Sequence, residues 1–511
     1  MKKQSLIKGT VILGVATIFA RFLGLFFRIP IQNLIGDQGM GYYQMSYPIY
    51  MTFVALASGI PMAMSKLIAE YEAKNDLYSV NLVFKRTLKI MIPLGIITSL
   101  LMFGTGKTLV RLLRWHEKSY YSYMVISSGP IFVCLMCTFK GYFQGLQNMN
   151  STAVCQVIEQ IGRVVFGVAM AYLLIPHGVE FAAAGAAFGT VAGGILGSVY
   201  LCLKYIRAGR RKVRRPLKIE HGIMRKLIEA ALPISVGAAV GTIMSLIDSI
   251  IVPQRLVYAG FTLEECAKIY GQFTGKAMTI QNIPLALSMA LCASLVPIIS
   301  EAYSMHRNDE LDKRIQMVFK LSFLIGIPSG LGLFFLSCPV MGLVFMGDFG
   351  GHSILKVLAL SVPFIIITQT TTSVLQSCGR YMKPIYNLMA GCIIKIIVTY
   401  VMVAMPAFNI YGAVAGSILG YMVTSILNIR EVRGMFKVSI NYYEVLIKPL
   451  IVSLIMIICV VFIYNNVYNY TISNGVSCMI AIFAGMILFG ILTILFKVIT
   501  LEDIRGRITR N

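Results

Sequence analysis

The chain has 511 residues, 57% of them hydrophobic and 13% charged, with a mean hydropathy of +0.77. Such a composition excludes an ordinary soluble domain and points to a polytopic membrane protein. The formal charge of +24 would suggest nucleic acid in a soluble chain, but here the basic residues lie mostly between apolar runs. There they set topology and meet anionic headgroups, so no nucleic-acid partner is expected.

Fourteen transmembrane helices are expected, near 9–33, 43–67, 87–106, 120–141, 152–175, 181–205, 227–252, 273–299, 318–338, 353–377, 385–406, 410–430, 446–466 and 475–497. The basic start, MKKQSLIK, is followed by an apolar run too long for a signal peptide and without a small-residue cleavage site, so it reads as the first span. The longest polar connection, Lys204 to Lys226, leaves no room for an extramembrane domain. With the N-terminus inside, most Lys and Arg fall on the inner side, above all in the 204–226 connection, and both termini come out cytoplasmic.

The first span carries Arg21 and Arg28. Seven residues is close to two helical turns, so they share a face. A guanidinium facing lipid at mid-bilayer costs from about 2.5 to more than 10 kcal/mol, so this face meets either carboxylates in a bundle or a polar cavity that takes an anion. The second span holds a break, Ser58-Gly59-Ile60-Pro61. On the outer side, Lys107 to Lys118 places Arg111, Arg114 and Lys118 at helical spacing around Leu109, Leu112, Leu113 and the single Trp115, and reads as an amphipathic helix lying on the membrane surface.

Cys134-x-x-Cys137 lies inside a span and reads as two buried thiols rather than a metal or redox site. Glu159 stands four residues before Arg163 in the fifth span, the spacing of a helical ion pair. The sixth span, rich in Gly and Ala over 182–197, signals close helix packing. Asp248 lies in the seventh span. In the eighth, Lys276, Gln281 and Asn282 precede Pro284, placing polar groups beside a softened helix, as a cavity wall or as hydrogen-bond partners of a neighbouring helix. No P-loop, metal-ligand spacing or catalytic set is present, so neither an enzyme, a cofactor nor an ATP-driven pump is expected.

The chain repeats itself. Leu67–Ile92 resembles Ile298–Ile327, Gln144 pairs with Gln376 and Arg163 with Lys395 at an offset of 232, and Gly185-Ala-Ala-Phe-Gly189 resembles Gly412-Ala-Val-Ala-Gly416. The expected architecture is therefore all-α: a six-helix lobe at 1–207, a basic cytoplasmic linker at 208–226, a second six-helix lobe at 227–440, and two further helices with a tail at 441–511. Six spans per copy is even, so the copies insert the same way up, the parallel-repeat arrangement of transporters that work by alternating access. Arg21, Arg28, Arg163 and Lys395 outnumber the intramembrane acids Glu159 and Asp248. A positive cavity of this kind suits a phosphate-bearing substrate, which arginine holds through a bidentate fork.

Ala20-Arg21-Phe22-Leu23-Gly24 followed by Arg28 resembles the first-span motif of bacterial lipid II flippases. Lys140-Gly-Tyr-Phe-Gln-Gly-Leu-Gln-Asn-Met-Asn150 with Gln156 to Arg163 (QVIEQIGR) is similar to the corresponding stretch of the stage V sporulation protein B group. The resemblance runs over the full chain and implies the fold of the multidrug/oligosaccharidyl-lipid/polysaccharide (MOP) exporter superfamily. It implies movement of an undecaprenyl-diphosphate-linked sugar, a peptidoglycan or spore-cortex precursor, across a bacterial plasma membrane. Membrane lipids, an ion or the membrane potential, and cell-wall synthesis enzymes are the expected partners. The resemblance implies that Arg21 and Arg28 face the cavity, and the charge, repeat and eighth-span readings add Glu159, Arg163, Asp248, Lys276, Asn282 and Lys395 to the expected set. The chain departs from the Gram-negative members of the family. Thr279 and Asn282 stand where an Arg and a Glu precede the eighth-span proline, with Lys276 one turn earlier, and the paired second-span arginines are absent. A cation-coupled multidrug exporter of the same fold and a non-transporting scaffold of wall synthesis are the alternatives.

Overall fold

The computed structural model describes residues 6–207, 223–305, 307–436 and 441–498. Most of the expected basic linker, residues 208–222, and the C-terminal tail from 499 lie outside the described residues. Every described element is helical. The chain forms two compact units, residues 1–271 and 272–511.

The first unit contains α1 (Leu6–Ala73), α2 (Leu77–Leu112), α3 (Ser119–Ile126), α4 (Gly129–Gly145), α5 (Met149–Leu174), α6 (Val179–Arg207), α7 (Ile223–Tyr258) and α8 (Leu263–Gly271). The second begins with a π-helical turn, Gln272–Ala277. It continues through α9 (Met278–Ser304), α10 (Asn308–Phe335), α11 (Ser337–Val344), α12 (His352–Leu358), α13 (Val362–Ser377), α14 (Met382–Met402), α15 (Tyr411–Phe436), α16 (Lys448–Thr471) and α17 (Asn474–Leu495).

α1 is not one straight rod. Gly36 has φ 65° and ψ −175°, a left-handed conformation that glycine adopts without a Cβ clash. The rings of Phe27 and Tyr43 lie 6.3 Å apart, whereas sixteen residues of straight helix would separate them by about 24 Å. The chain therefore doubles back at Gly36, and α1 supplies the first two expected spans. Among the described residues, eleven helices are long and apolar enough to cross a membrane, and a pair bent by 49°, Ile223–Ala239 with Gly241–Tyr258, makes a twelfth. With α1 folded in two and α9 covering the eighth expected span, the described helices are compatible with fourteen crossings.

The two copies read from the sequence pack alike. On α6, a Cβ at Gly185 would lie 2.7 Å from the Met170 carbonyl carbon of α5, and one at Gly189 would lie 2.6 Å from the Arg163 carbonyl oxygen. On α15, a Cβ at Gly412 would lie 2.7 Å from the Met402 carbonyl carbon of α14, and one at Gly416 would lie 3.1 Å from the Lys395 carbonyl oxygen. A third rung joins Gly193 to the Glu159 carbonyl in one copy, and Gly391 to the Gly420 carbonyl in the other. Each helix pair thus meets backbone to backbone at three matched levels, the contact that small residues permit in membranes. α2 and α10 carry matching internal prolines, Pro93 and Pro328. The spans Ser119–Gly145 and His352–Ser377 are each broken before a proline at the start of the second segment, Pro130 and Pro363.

Lys107–Lys118 is not a separate surface helix. α2 continues to Leu112, Arg114 takes a left-handed φ of 51°, and the chain turns inward. Trp115 is 2% exposed and donates its indole N–H to the Ser249 carbonyl of α7 at 3.0 Å, while Gln254 donates to the Leu112 carbonyl at 3.0 Å. The periodicity was that of an amphipathic helix, but its Trp115 is buried against α7 while Leu112 stays exposed.

The same end of the first unit is sealed by backbone contact. A Cβ at Gly41 would collide with the Ala267 carbonyl of α8, and one at Gly271 with the Asp37 carbonyl of α1. Beside this seam the His116 ring lies 5.1 Å from Tyr42, with Nε2 3.9 Å from Glu264. Burial holds the His116 imidazole below its usual pKa against the weaker pull of Glu264, so this contact is not an ion pair at neutral pH.

Candidate functional site

The reversal at Gly36 lays the second half of α1 beside its first half and both against α5. Tyr43, Tyr47 and Tyr50 recur at i, i+4 and i+7 and so share one face. Their rings run in a row, with Tyr43 to Tyr47 at 5.5 Å and Tyr47 to Tyr50 at 6.1 Å. Tyr43 and Tyr50 are buried, and Tyr50 packs on Gly129, where a Cβ would come within 2.7 Å of its ring.

Arg163 of α5 reaches into this row. Its Nη2 donates to the Tyr47 hydroxyl at 2.8 Å and to the Thr190 hydroxyl of α6 at 3.0 Å, and its Nε donates to Thr190 at 3.2 Å. The guanidinium lies over the rings of Tyr47 at 5.3 Å and Phe27 at 5.9 Å. A desolvated cation–π contact contributes about 2 kcal/mol. These direct partners are neutral; they orient Arg163 and offset its desolvation, and the Glu159 carboxylate acts on it at longer range.

The expected Glu159–Arg163 pair is absent. Glu159 instead accepts from Lys140 of α4 at 2.8 Å. The i,i+4 spacing puts both side chains on one side of α5, but α4 packs there and brings its own ammonium closer to the carboxylate. The polar stripe of α5 continues along its contact with the first half of α1. Thr17 donates to Gln156 at 3.2 Å, and Gln160 lies against Gly24. Arg28 is half-buried and within electrostatic reach of the Tyr43 hydroxyl. The Arg21 side chain lies outside the described residues.

Of the remaining expected residues, Asp248 lies on α7 of the first unit, and Lys276, Asn282 and Lys395 lie in the second. Asp248 is buried on α7, next to Ser249, the acceptor of Trp115. In the second unit, Lys276 is fully buried in the π-helical turn and pairs with Asp348 at 2.5 Å, with Phe345 5.7 Å from its ammonium. π-Helical turns recur at functional sites, but here the ammonium ties the start of α9 to the loop before α12. Gln281 is buried and donates to Ser361 at 2.5 Å, the neighbour-helix role, whereas Asn282 is exposed. Lys395 is buried on α14 behind Gly416. Among the described residues, no three His, Cys, Asp or Glu side chains stand together as metal ligands, and Cys134 and Cys137 are free thiols.

Sequence reasoning missed Tyr43, Tyr47, Tyr50, Thr190 and Lys140. The tyrosine spacing in YYQMSYPIY was a visible signal, since three phenol groups on one face of a membrane helix need polar partners. The other two required knowing which helices touch.

The family model for polysaccharide biosynthesis proteins matches residues 6–303, more than half of the chain, and the MatE model matches residues 274–401. The chain is 28% identical to stage V sporulation protein B of Bacillus subtilis, over 99% of this chain and 98% of that protein. It is 23% identical to the lipid II flippase MurJ of the same organism, over 89% of this chain and 86% of that one. Among solved structures it resembles an inward-facing MATE family transporter of the MOP superfamily, with a TM-score of 0.70 and 17% identity over 82% of this chain and 94% of that one. A MOP superfamily transporter from Pyrococcus furiosus, described by a binding pocket of reverse polarity, aligns with a TM-score of 0.62 and 16% identity over 86% of this chain and 99% of that one.

Proposed function

The chain belongs to the polysaccharide biosynthesis protein family, among the membrane transporters of the MOP superfamily, and from that premise we propose that it flips an undecaprenyl-diphosphate-linked oligosaccharide from the inner to the outer leaflet by alternating access. The substrate class is a peptidoglycan or spore-cortex precursor, and the setting is a bacterial plasma membrane with both chain termini cytoplasmic. The observation that carries this reading is Arg163, an intramembrane guanidinium whose hydrogen bonds and ring contacts go to neutral groups, Tyr47, Thr190 and Phe27, while Glu159, held by Lys140, acts on it only at longer range. A diphosphate offers several anionic oxygens to the planar fork. Arg28 adds positive charge on the first span, and the seven-residue spacing along the sequence assigns Arg21 to the same face.

In this reading the lobes at 1–207 and 227–440 alternate access to the substrate. Lys395 and Asp248 contribute charge on that route, and Asn282 contributes a polar contact. Lys276 and Glu159 are held by Asp348 and Lys140, and the diphosphate competes with the two carboxylates for the ammonium groups of Lys276 and Lys140. The names of the relatives support the substrate class, since one is called a lipid II flippase and another a sporulation protein.

The test is reconstitution of the full chain in vesicles with three fluorescent polyprenyl lipids that carry the same sugar through a diphosphate, a monophosphate or a neutral ether. The diphosphate lipid is expected to exchange leaflets at least about tenfold faster than the neutral one, the factor that a charge-assisted contact worth about 1.5 kcal/mol gives. Equal rates for all three, or efflux of a cationic drug with no lipid movement, overturn the reading.

A further inference from the structure

A cavity of about 230 Å³ lies between the second half of α1, α2 and α4. Apart from Thr98 its walls are apolar: Phe53, Leu56 and Ala57 from α1, Leu94 from α2 and Val133 from α4 are among them. It is larger than the apolar cavities of about 150 Å³ that stay dry and accept benzene-sized hydrocarbons. Gly95 brings α2 against α4, where a Cβ would meet Ile131 Cα at 2.9 Å, and Ala57, Met91 and Cys134 pack together beside the cavity, which Phe53 and Leu94 line.

Its position says what fills it. Residues 53–57, 94–98 and 130–134 stand at the middle of the second, third and fourth expected spans, the depth at which only hydrocarbon surrounds a membrane protein. Leu56 lines the cavity and is 44% exposed, so the cavity opens at the molecular surface. Ile97 and Leu101 on α2 are more exposed still and form a lipid-facing surface beside it. At the bilayer centre, the freely ending chains from both leaflets are the groups that fit a shallow apolar slot.

We propose that this cavity is a binding site for the terminal segment of a phospholipid acyl chain, distinct from the Arg163 site and independent of the substrate proposed there. The bound chain lies between α1 and the α2–α4 pair. It therefore touches the helix that carries the tyrosine row and, through Gly59, packs on Ala231 and Ser235 of α7.

The experiment places the full-length protein in nanodiscs of phosphatidylethanolamine and phosphatidylglycerol, doped with a phospholipid that carries a diazirine near the end of one acyl chain, then photolyses it and maps the adducts. Adducts on residues 53–57 and 133–134 are expected to fall at least fivefold in Ala57→Phe, while those on Ile97 and Leu101 stay unchanged. Val133→Phe is the second filling variant, should Ala57→Phe not insert. Adducts in the cavity that neither filling variant reduces reflect chains merely bathing the surface and overturn the site. Loss of the adducts on adding free polyprenol, but not on adding excess phospholipid, assigns the slot to an isoprenoid chain and overturns the phospholipid.

Discussion

Replacing Gly41 or Gly271 by valine opens the seam between α1 and α8, and alkylation of Cys266 by a membrane-impermeant maleimide rises at least about tenfold, the factor expected when overpacking costs about 1–3 kcal/mol. Each glycine faces a carbonyl of the opposite helix at a distance that leaves no room for a Cβ, and neither obstacle is the end of a flexible side chain. The backbones must separate. Cys266 is a native reporter of that separation: it is 1% exposed in α8, and burial pushes its thiol up to about 12, so it is inert while the seam is closed. Cys338 is exposed and reacts regardless, so the label is read by peptide mapping. On the alternating-access reading proposed above, the same variants are expected to lose transport. A folded Gly271→Val protein with unreactive Cys266 refutes the seam.

Arg163→Met is expected to reduce leaflet exchange of the diphosphate lipid by about 10- to 100-fold without loss of folded protein, the range for hydrogen bonds that involve a charged group. Methionine keeps the length and apolar stem and removes the charge, so the cost of desolvating a guanidinium disappears with it. The residual cost is two hydroxyls, Tyr47 and Thr190, that lose a donor. Arg163→Lys is expected to fall between, since an ammonium supplies charge but not the fork. Tyr47→Phe, which removes the 2.8 Å acceptor and keeps the ring, is expected to slow exchange severalfold through misorientation of the guanidinium, a loss of about 1 kcal/mol. The measurement is the exchange rate at fixed protein-to-lipid ratio, with folded fraction followed by size exclusion in detergent. Wild-type exchange in Arg163→Met rules out a substrate role for this residue.

The spans were legible because hydropathy over about twenty residues is dictated by bilayer thickness and needs no knowledge of neighbours. The internal repeat was legible for the same reason, and the glycine rungs of α5–α6 and α14–α15 follow from it. Arg163 was legible as an unusual intramembrane charge. Its setting was not, because Tyr47, Thr190 and Phe27 come from three other stretches of chain. Glu159 shows the limit of local rules: spacing along α5 suggested Arg163, but contact with α4 delivered Lys140. Trp115 shows it again, since the pattern of an amphipathic helix says that one side is apolar and not whether lipid or α7 covers it. Lys276 looked like a cavity residue from its span, yet Asp348, seventy-two positions later, holds it.

The three glycine rungs also bear on how such a protein can change over generations. At the second rung the contact is made by the Arg163 and Lys395 carbonyls, which are the same whatever side chain those residues carry. The two copies have diverged there from guanidinium to ammonium, while their frames still match rung for rung. Chemistry in one copy can therefore be revised without rebuilding its scaffold or consulting its twin, and a duplicated bundle becomes a frame on which new cargo is acquired one residue at a time.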